Sequence, residues 1–126
     1  MQVAVKAGGI QGDRIEVSSV RGDFQAIWMG DVPVASGAVL DMEVEVPGSV
    51  VALWKTDPNE ATSIESVGGH TSIVGEAAAI TAEGVLVLDL HPGIVVVELA
   101  NPHDAGVVRG PVRVVGGCVR VYPTGI

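Results

Sequence analysis

The sequence predicts an all-β domain, and three observations carry that expectation. Valine is the dominant apolar residue, and its stiff χ1 suits a pleated strand better than a helix. The apolar runs are short, and 17 glycines and seven prolines punctuate them. Phe, Trp and Tyr together reach only 3% of 126 residues, so the core has to be built from aliphatic side chains.

Gln2–Ala7 and Arg14–Val20 read as strands, parted by the Gly8-Gly9 and Gly12-Asp13 breaks. Arg21-Gly22-Asp23 reads as a turn; the tripeptide matches one read by adhesion receptors, but Gly-Asp in a tight turn explains it. Phe24–Met29 follows as a strand. In Ala38–Val46, Leu40, Met42, Val44 and Val46 alternate with Asp41, Glu43 and Glu45, giving one dry and one acidic face. Pro47-Gly48 is a turn signal, so Val50–Lys55 is expected to return as the second arm of a hairpin.

Asp57-Pro58-Asn59-Glu60 carries the one helix-start signal, with Asp57 as cap, Pro58 at the first helical position and Glu60 completing a capping-box-like pattern. A short helix over 58–66 is therefore expected. Thr71–Thr81 reads as a strand with a bulge near Gly75, despite the helix-favouring Ala77-Ala78-Ala79. Val85–Leu90 and Ile94–Leu99 are nearly continuous apolar runs joined by His91-Pro92-Gly93. A half-wet antiparallel strand alternates; these do not, so both of their faces are expected to be dry, inside a barrel or against a neighbouring subunit. Asn101–Gly106 is a polar loop, and Val107–Val115 with Cys118–Tyr122 reads as a last hairpin across Gly116-Gly117. The sum is a single domain over 1–126. It contains about eight to ten short strands, arranged as a small Greek-key barrel or sandwich.

Lys plus Arg total 7 and Asp plus Glu total 15, a net charge of −8. An acidic chain lacks the cations that dominate phosphate contact, which excludes bulk nucleic-acid binding. With 48% apolar and 17% charged residues, intrinsic disorder is excluded as well. Residues 56–104 hold eight acids and no Lys or Arg, whereas 105–126 hold Arg109, Arg113 and Arg120 and no acid. Two copies with these regions apposed would have complementary fields. The lone Cys118 rules out an internal disulfide and reads as a small buried hydrophobe. The opening MQVAVKAGG resembles neither a signal peptide nor a membrane span, so a soluble cytoplasmic setting is expected.

Three kinds of candidate site stand out. Asp41, Glu43 and Glu45 place carboxylates at intervals of two, roughly 6.5–7 Å apart on one strand face. That spacing occurs in glycoside hydrolysis, and also on any solvated strand face, which is the reading adopted. His70, His91 and His103 sit in turn contexts without ligand spacing; His70 with Glu76 and His91 with Asp89 are the pairings a metal would use, and no metal is expected. In a chain so poor in aromatics, Trp28 and Trp54 are candidate pocket or partner anchors, together with Asp31 in the loop that follows Trp28. No phosphate loop, no nucleophile elbow and no cofactor motif occurs.

The expectation is a non-catalytic domain for protein–protein binding or assembly, with a protein partner or itself as a homo-oligomer. An acidic inhibitor of immunity type fits the charge. A ligand-binding barrel with its pocket near Trp28 and Trp54 is the alternative, and a carboxylate- or metal-dependent hydrolase ranks behind it.

Overall fold

The computed structural model describes residues 1–48, 50–99 and 109–124. The polar loop, His103 and Val107-Val108 lie outside them. The described residues form eleven strands: β1 (Gln2–Ala7), β2 (Arg14–Ser19), β3 (Gly22–Trp28), β4 (Val39–Val46), β5 (Val50–Lys55), β6 (Ser63–Val67), β7 (His70–Ile80), β8 (Val85–Asp89), β9 (Ile94–Glu98), β10 (Gly110–Gly116) and β11 (Arg120–Pro123).

Five strands close on themselves. The ladder runs β1-β2-β3-β11-β4, and Gln2 pairs with Asp41 to join β4 back to β1. Closure removes the sheet edges that a strand would otherwise leave unpaired. Beyond β1, the same side of β4 takes β9 in parallel, and the sheet continues through β8, β7 and β10 to end at β5. Strand β6 pairs with β7 and leans back on the barrel, where Ile64 N–H donates to the Arg21 carbonyl (3.0 Å) and Gln25 N–H to Ser66 Oγ (2.9 Å). Barrel and outer strands share one core, since Val44, Met42, Ile73, Leu86, Leu88, Val95, Val112 and Val114 are all fully buried in a single cluster. Among the described residues no helix is long and apolar enough to cross a membrane.

Four expectations are corrected. The helix over 58–66 is a single turn: Asp57 accepts Asn59 N–H on its side chain (2.8 Å) and Glu60 N–H on its carbonyl (2.9 Å), and then the chain extends into β6. Two helical turns cannot stand without tertiary support, while β6 gains a ladder with β7 and buries Ile64 completely. The 38–55 hairpin is absent, because β4 is occupied by β1, β9 and β11, and β5 pairs with β10. The last hairpin is absent for the same reason: β10 lies between β7 and β5, and β11 between β3 and β4. The bulge expected near Gly75 falls between Ala77 and Ala79; Gly75 itself is where β8 comes close, with Leu88 Cβ and the Asp89 carbonyl each 3.2 Å from a virtual Cβ.

The doubly dry reading of residues 85–99 is also overturned within the chain. Leu86, Leu88, Leu90, Val95, Val97 and Leu99 point into the core, but Val85, Val87 and Val96 are only half-buried and Ile94 is 51% exposed. A closed shell has one inside, and the outward valines meet no second layer among the described residues.

Candidate functional site

The outward side of β4, β9, β8 and β7 is an ordered surface set by register. Glu45 lies opposite Val96, Val96 opposite Val87, and Val87 opposite Ala79. In the neighbouring rank Ile94 faces Asp89, and Asp89 faces Glu76; Val85 faces Glu98. Directly opposed residues stand about 4.5–5.5 Å apart, so these aliphatic side chains form a continuous strip. Carboxylates bracket the strip: Asp41, Glu43 and Glu45 on β4, and Glu76, Asp89 and Glu98 on the strands beyond.

At one end a shallow cavity of about 250 Å³ is lined by Met1, Met42, Ile94 and Val96 together with Asp41, Glu43 and Thr124. Its floor is apolar and two carboxylates stand at its rim. Neither takes part in an ion pair among the described residues. The Met1 ammonium is used internally, donating to the Met42 carbonyl at 2.8 Å. Such a place accepts an aliphatic stem with a cationic tip, as in lysine or arginine.

At the other end, the β8–β9 turn brings His91 between two carboxylates. Its Nε2 is 3.3 Å from Glu76 Oε2 and its Nδ1 is 3.2 Å from Asp89 Oδ1. Each ring nitrogen addresses a different carboxylate, so the three groups bridge rather than converge. Among the described residues no group of three or more His, Cys, Asp or Glu side chains is gathered to hold a metal ion.

The three anchors expected from the sequence are not brought together. Trp28 is 3% exposed at the end of β3, its indole N–H donating to the Val32 carbonyl at 2.9 Å, which makes it a core plug. Asp31 is exposed nearby, with Gln11 Nε2 at 3.5 Å from its Oδ1. Trp54 is 47% exposed on β5, at the far end of the sheet path from the barrel. Exposed His70 opens β7, and half-buried Cys118 lines a small cleft with Arg14, Ile27 and Thr71.

Asp23, the acid of the Arg-Gly-Asp tripeptide, is engaged within the chain. Lys6 Nζ lies 2.8 Å from its Oδ2, and Ser18 Oγ donates to its Oδ1 at 2.6 Å. The lysine hydrogen bond first, and the serine second, hold the Asp23 carboxyl below its ordinary 3.8; the bond to Asp23 raises Lys6 above 10.5. A depressed acid contributes stability that is lost as pH falls through its folded value, and a raised base contributes stability lost as pH rises through its own. Lys6→Met should therefore lower the melting temperature slightly at neutral pH. The difference from wild type should vanish below the Asp23 value and above the Lys6 value, a pattern that melts across pH will check. The pair is fully solvated, so the effect is small.

Sequence reasoning had the β4 carboxylates and the apolar runs of β8 and β9 in view, the latter as dry on both faces, but not their common surface. The parallel β4–β9 pairing that assembles it joins segments some fifty residues apart, and no local signal marks it. No family model matches the chain, and no similar curated protein or solved structure was found.

Proposed function

We propose that this chain is a non-catalytic protein-binding domain, and that it docks its partner through the outward face of β4, β9 and β8. One observation carries the reading: an aliphatic strip of Val85, Val87, Ile94 and Val96, left partly open by a closed shell, is bracketed by carboxylates. An apolar centre with a charged rim is the usual anatomy of a contact surface. The charge specifies the partner's chemistry, a protein with its own apolar patch ringed by lysine and arginine. Carboxylates on such a rim steer encounter more than they add affinity. An acidic inhibitor of a basic enzyme belongs to this class. A single cysteine, and so no internal disulfide, suits the reducing cytoplasm.

The test compares wild type and Val96→Asp, each immobilised in a lysate and then measured against the purified candidate. Val96 is half-buried, so the variant should still fold, losing roughly 1–2 kcal/mol, while affinity falls at least about tenfold. Association with wild type should also slow as salt rises. A basic protein retained by wild type and lost by the variant is the expected result. Equal capture by both would overturn the proposal.

A further inference from the structure

The cavity floored by Met42 and Ile94 has a neighbour. A second hollow, of about 310 Å³, is walled by Met1, Asp41, Pro92 and Gly93 together with Val20 and Arg21 of the β2–β3 turn. Met1 and Asp41 line both, so the two hollows meet along a common wall. The second holds an unmatched charge. Among the described residues the Arg21 guanidinium makes no ion pair and no hydrogen bond, and its Nε is shut off from solvent without an acceptor. It lines the same hollow as Asp41 without pairing to it. Its backbone is nonetheless fixed, because the Arg21 carbonyl accepts Ile64 N–H (3.0 Å) and the Arg21 N–H donates to Ser19 Oγ (3.1 Å). The Ser19 hydroxyl in turn donates to the Gly22 carbonyl (3.0 Å), so it is used within the turn. Buried donors are ordinarily satisfied, and an anchored guanidinium without an acceptor in a cavity wall is a place for an anion to dock.

Four charges surround the joined hollows. Arg21 and the Met1 ammonium are positive, Asp41 and Glu43 negative, and only the ammonium is engaged, on the Met42 carbonyl. They sum to zero. A phosphate dianion would meet two carboxylates on a chain of net charge −8, which opposes it. A carboxylate suits a single guanidinium, because its two oxygens match two parallel N–H donors.

We infer that the joined hollows take the C-terminal residue of the partner, a lysine or arginine whose free carboxylate seats on Arg21 and whose cationic tip reaches Asp41 and Glu43. The inference rests on the reading that this face binds a basic protein, and it specifies what that protein places here. One such residue carries both charges, and its aliphatic stem crosses the common wall against Met1 and Ile94. An internal lysine satisfies the carboxylates but leaves Arg21 without an acceptor. A free amino acid carries the same groups, but tight small-ligand sites enclose most of the ligand, and these hollows are open to solvent. A chain end brings the rest of the partner, which covers the site from outside.

The probe is a short alanine–serine peptide ending in lysine, prepared as the free acid and as the C-terminal amide, and titrated into the whole chain by calorimetry. The free acid should bind at least about tenfold more tightly than the amide. Arg21→Gln should bring the free acid down to the level of the amide and leave the amide where it was, a coupling that a general loss of structure does not produce. Arg21→Lys, which keeps the charge but not the fork, should retain part of the preference. Asp41→Asn should weaken both forms, yet should not weaken a peptide that ends in norleucine. A melting curve for each variant confirms that it is folded.

Equal affinity for acid and amide would overturn the inference. So would loss of both forms in Arg21→Gln, or no binding of the free acid by about 1 mM. Val87→Asp separates this result from the outward-face reading, since Val87 lies on the aliphatic strip and lines neither hollow. It should weaken the whole partner and leave the peptide unaffected. If acid and amide bind alike while Val87→Asp still loses its partner, the chain-end site falls and the outward face stands. If the peptide keeps its carboxylate preference while Val87→Asp retains its partner, the chain-end site stands and the strip does not.

Discussion

Trp28→Ala is expected to cost about 3–5 kcal/mol of unfolding free energy, and Trp54→Ala less than about 1. Trp28 is 3% exposed, and its ring is wedged so tightly that a Cβ on Gly30 would sit 2.4 Å from Cζ2. Truncation empties the volume of an indole in a core otherwise made of valine, leucine and isoleucine, whose short side chains cannot swing in to fill it. The polar handle matters less. The Val32 carbonyl loses its indole N–H, but Val32 is 72% exposed and water replaces the donor. For a domain of this size the expected fall in melting temperature is roughly 10–20 °C, readable in a single thermal scan. Equal small losses for both tryptophans would mean that Trp28 is not a core residue. The contrast also separates the two rings by place: Trp28 fills the core, whereas Trp54 is 47% exposed on β5.

The strands were legible in the sequence because one signal, apolar alternation with a period of two, is local. Leu40, Met42, Val44 and Val46 against Asp41, Glu43 and Glu45 announced β4 before any partner was known. Pairing was not legible, because a turn signal states where the chain reverses and not what lies beside it afterwards. Pro47-Gly48 and Gly116-Gly117 both read as hairpin turns. Each instead releases its strand to a distant partner: β5 joins β10, and β11 inserts between β3 and β4. Where β6 and β7 do form a hairpin, Gly68 and Gly69 both have positive φ, the backbone a tight reversal demands.

The lost helix has a related cause. Asp57-Pro58-Asn59-Glu60 does make its turn, and the local reading stopped there. The buried Ile64 between exposed Glu65 and half-buried Ser63 then follows the period of a strand, because β7 offers a ladder. Continuous apolar runs misled in another way. A strand on the outside of a shell carries apolar residues on its wet side when that side is a contact surface, and sequence alone does not distinguish this from a second core. The same ambiguity hid the candidate surface. Its members were visible singly, while the register that sets Glu45 against Val96, and Val96 against Val87, depends on the fold as a whole.

Gly22→Ala is expected to be as damaging as losing Trp28, although it removes nothing. Gly22 opens β3 with a φ of +139°, a conformation that residues with a Cβ rarely adopt. Its missing side chain also makes room for another backbone. A Cβ there would lie 2.2 Å from the Ile64 carbonyl oxygen and 3.2 Å from its carbon. A flexible side chain could turn away, but a β6 carbonyl cannot, because that strand is fixed by its ladder to β7 and by Ile64 N–H on the Arg21 carbonyl. The methyl group therefore has to push β6 off the barrel, withdrawing the fully buried Ile64 from the core and breaking the contact that ties the outer strands to β3. Backbone strain of about 1–3 kcal/mol and overpacking of a similar size add to roughly 2–6 kcal/mol. Denaturant unfolding will measure it, and amide exchange will locate it: the Ile64 amide should lose protection first, ahead of β1 and β2. Gly12→Ala is the matched control, since its φ of +90° imposes strain in open space with nothing within 4 Å. If both variants lose the same amount, strain alone accounts for the cost and the seam between β3 and β6 is not a tight joint. A larger loss at Gly22 identifies that seam as a second tight joint, beside the β4–β9 ladder, between the outer strands and the barrel.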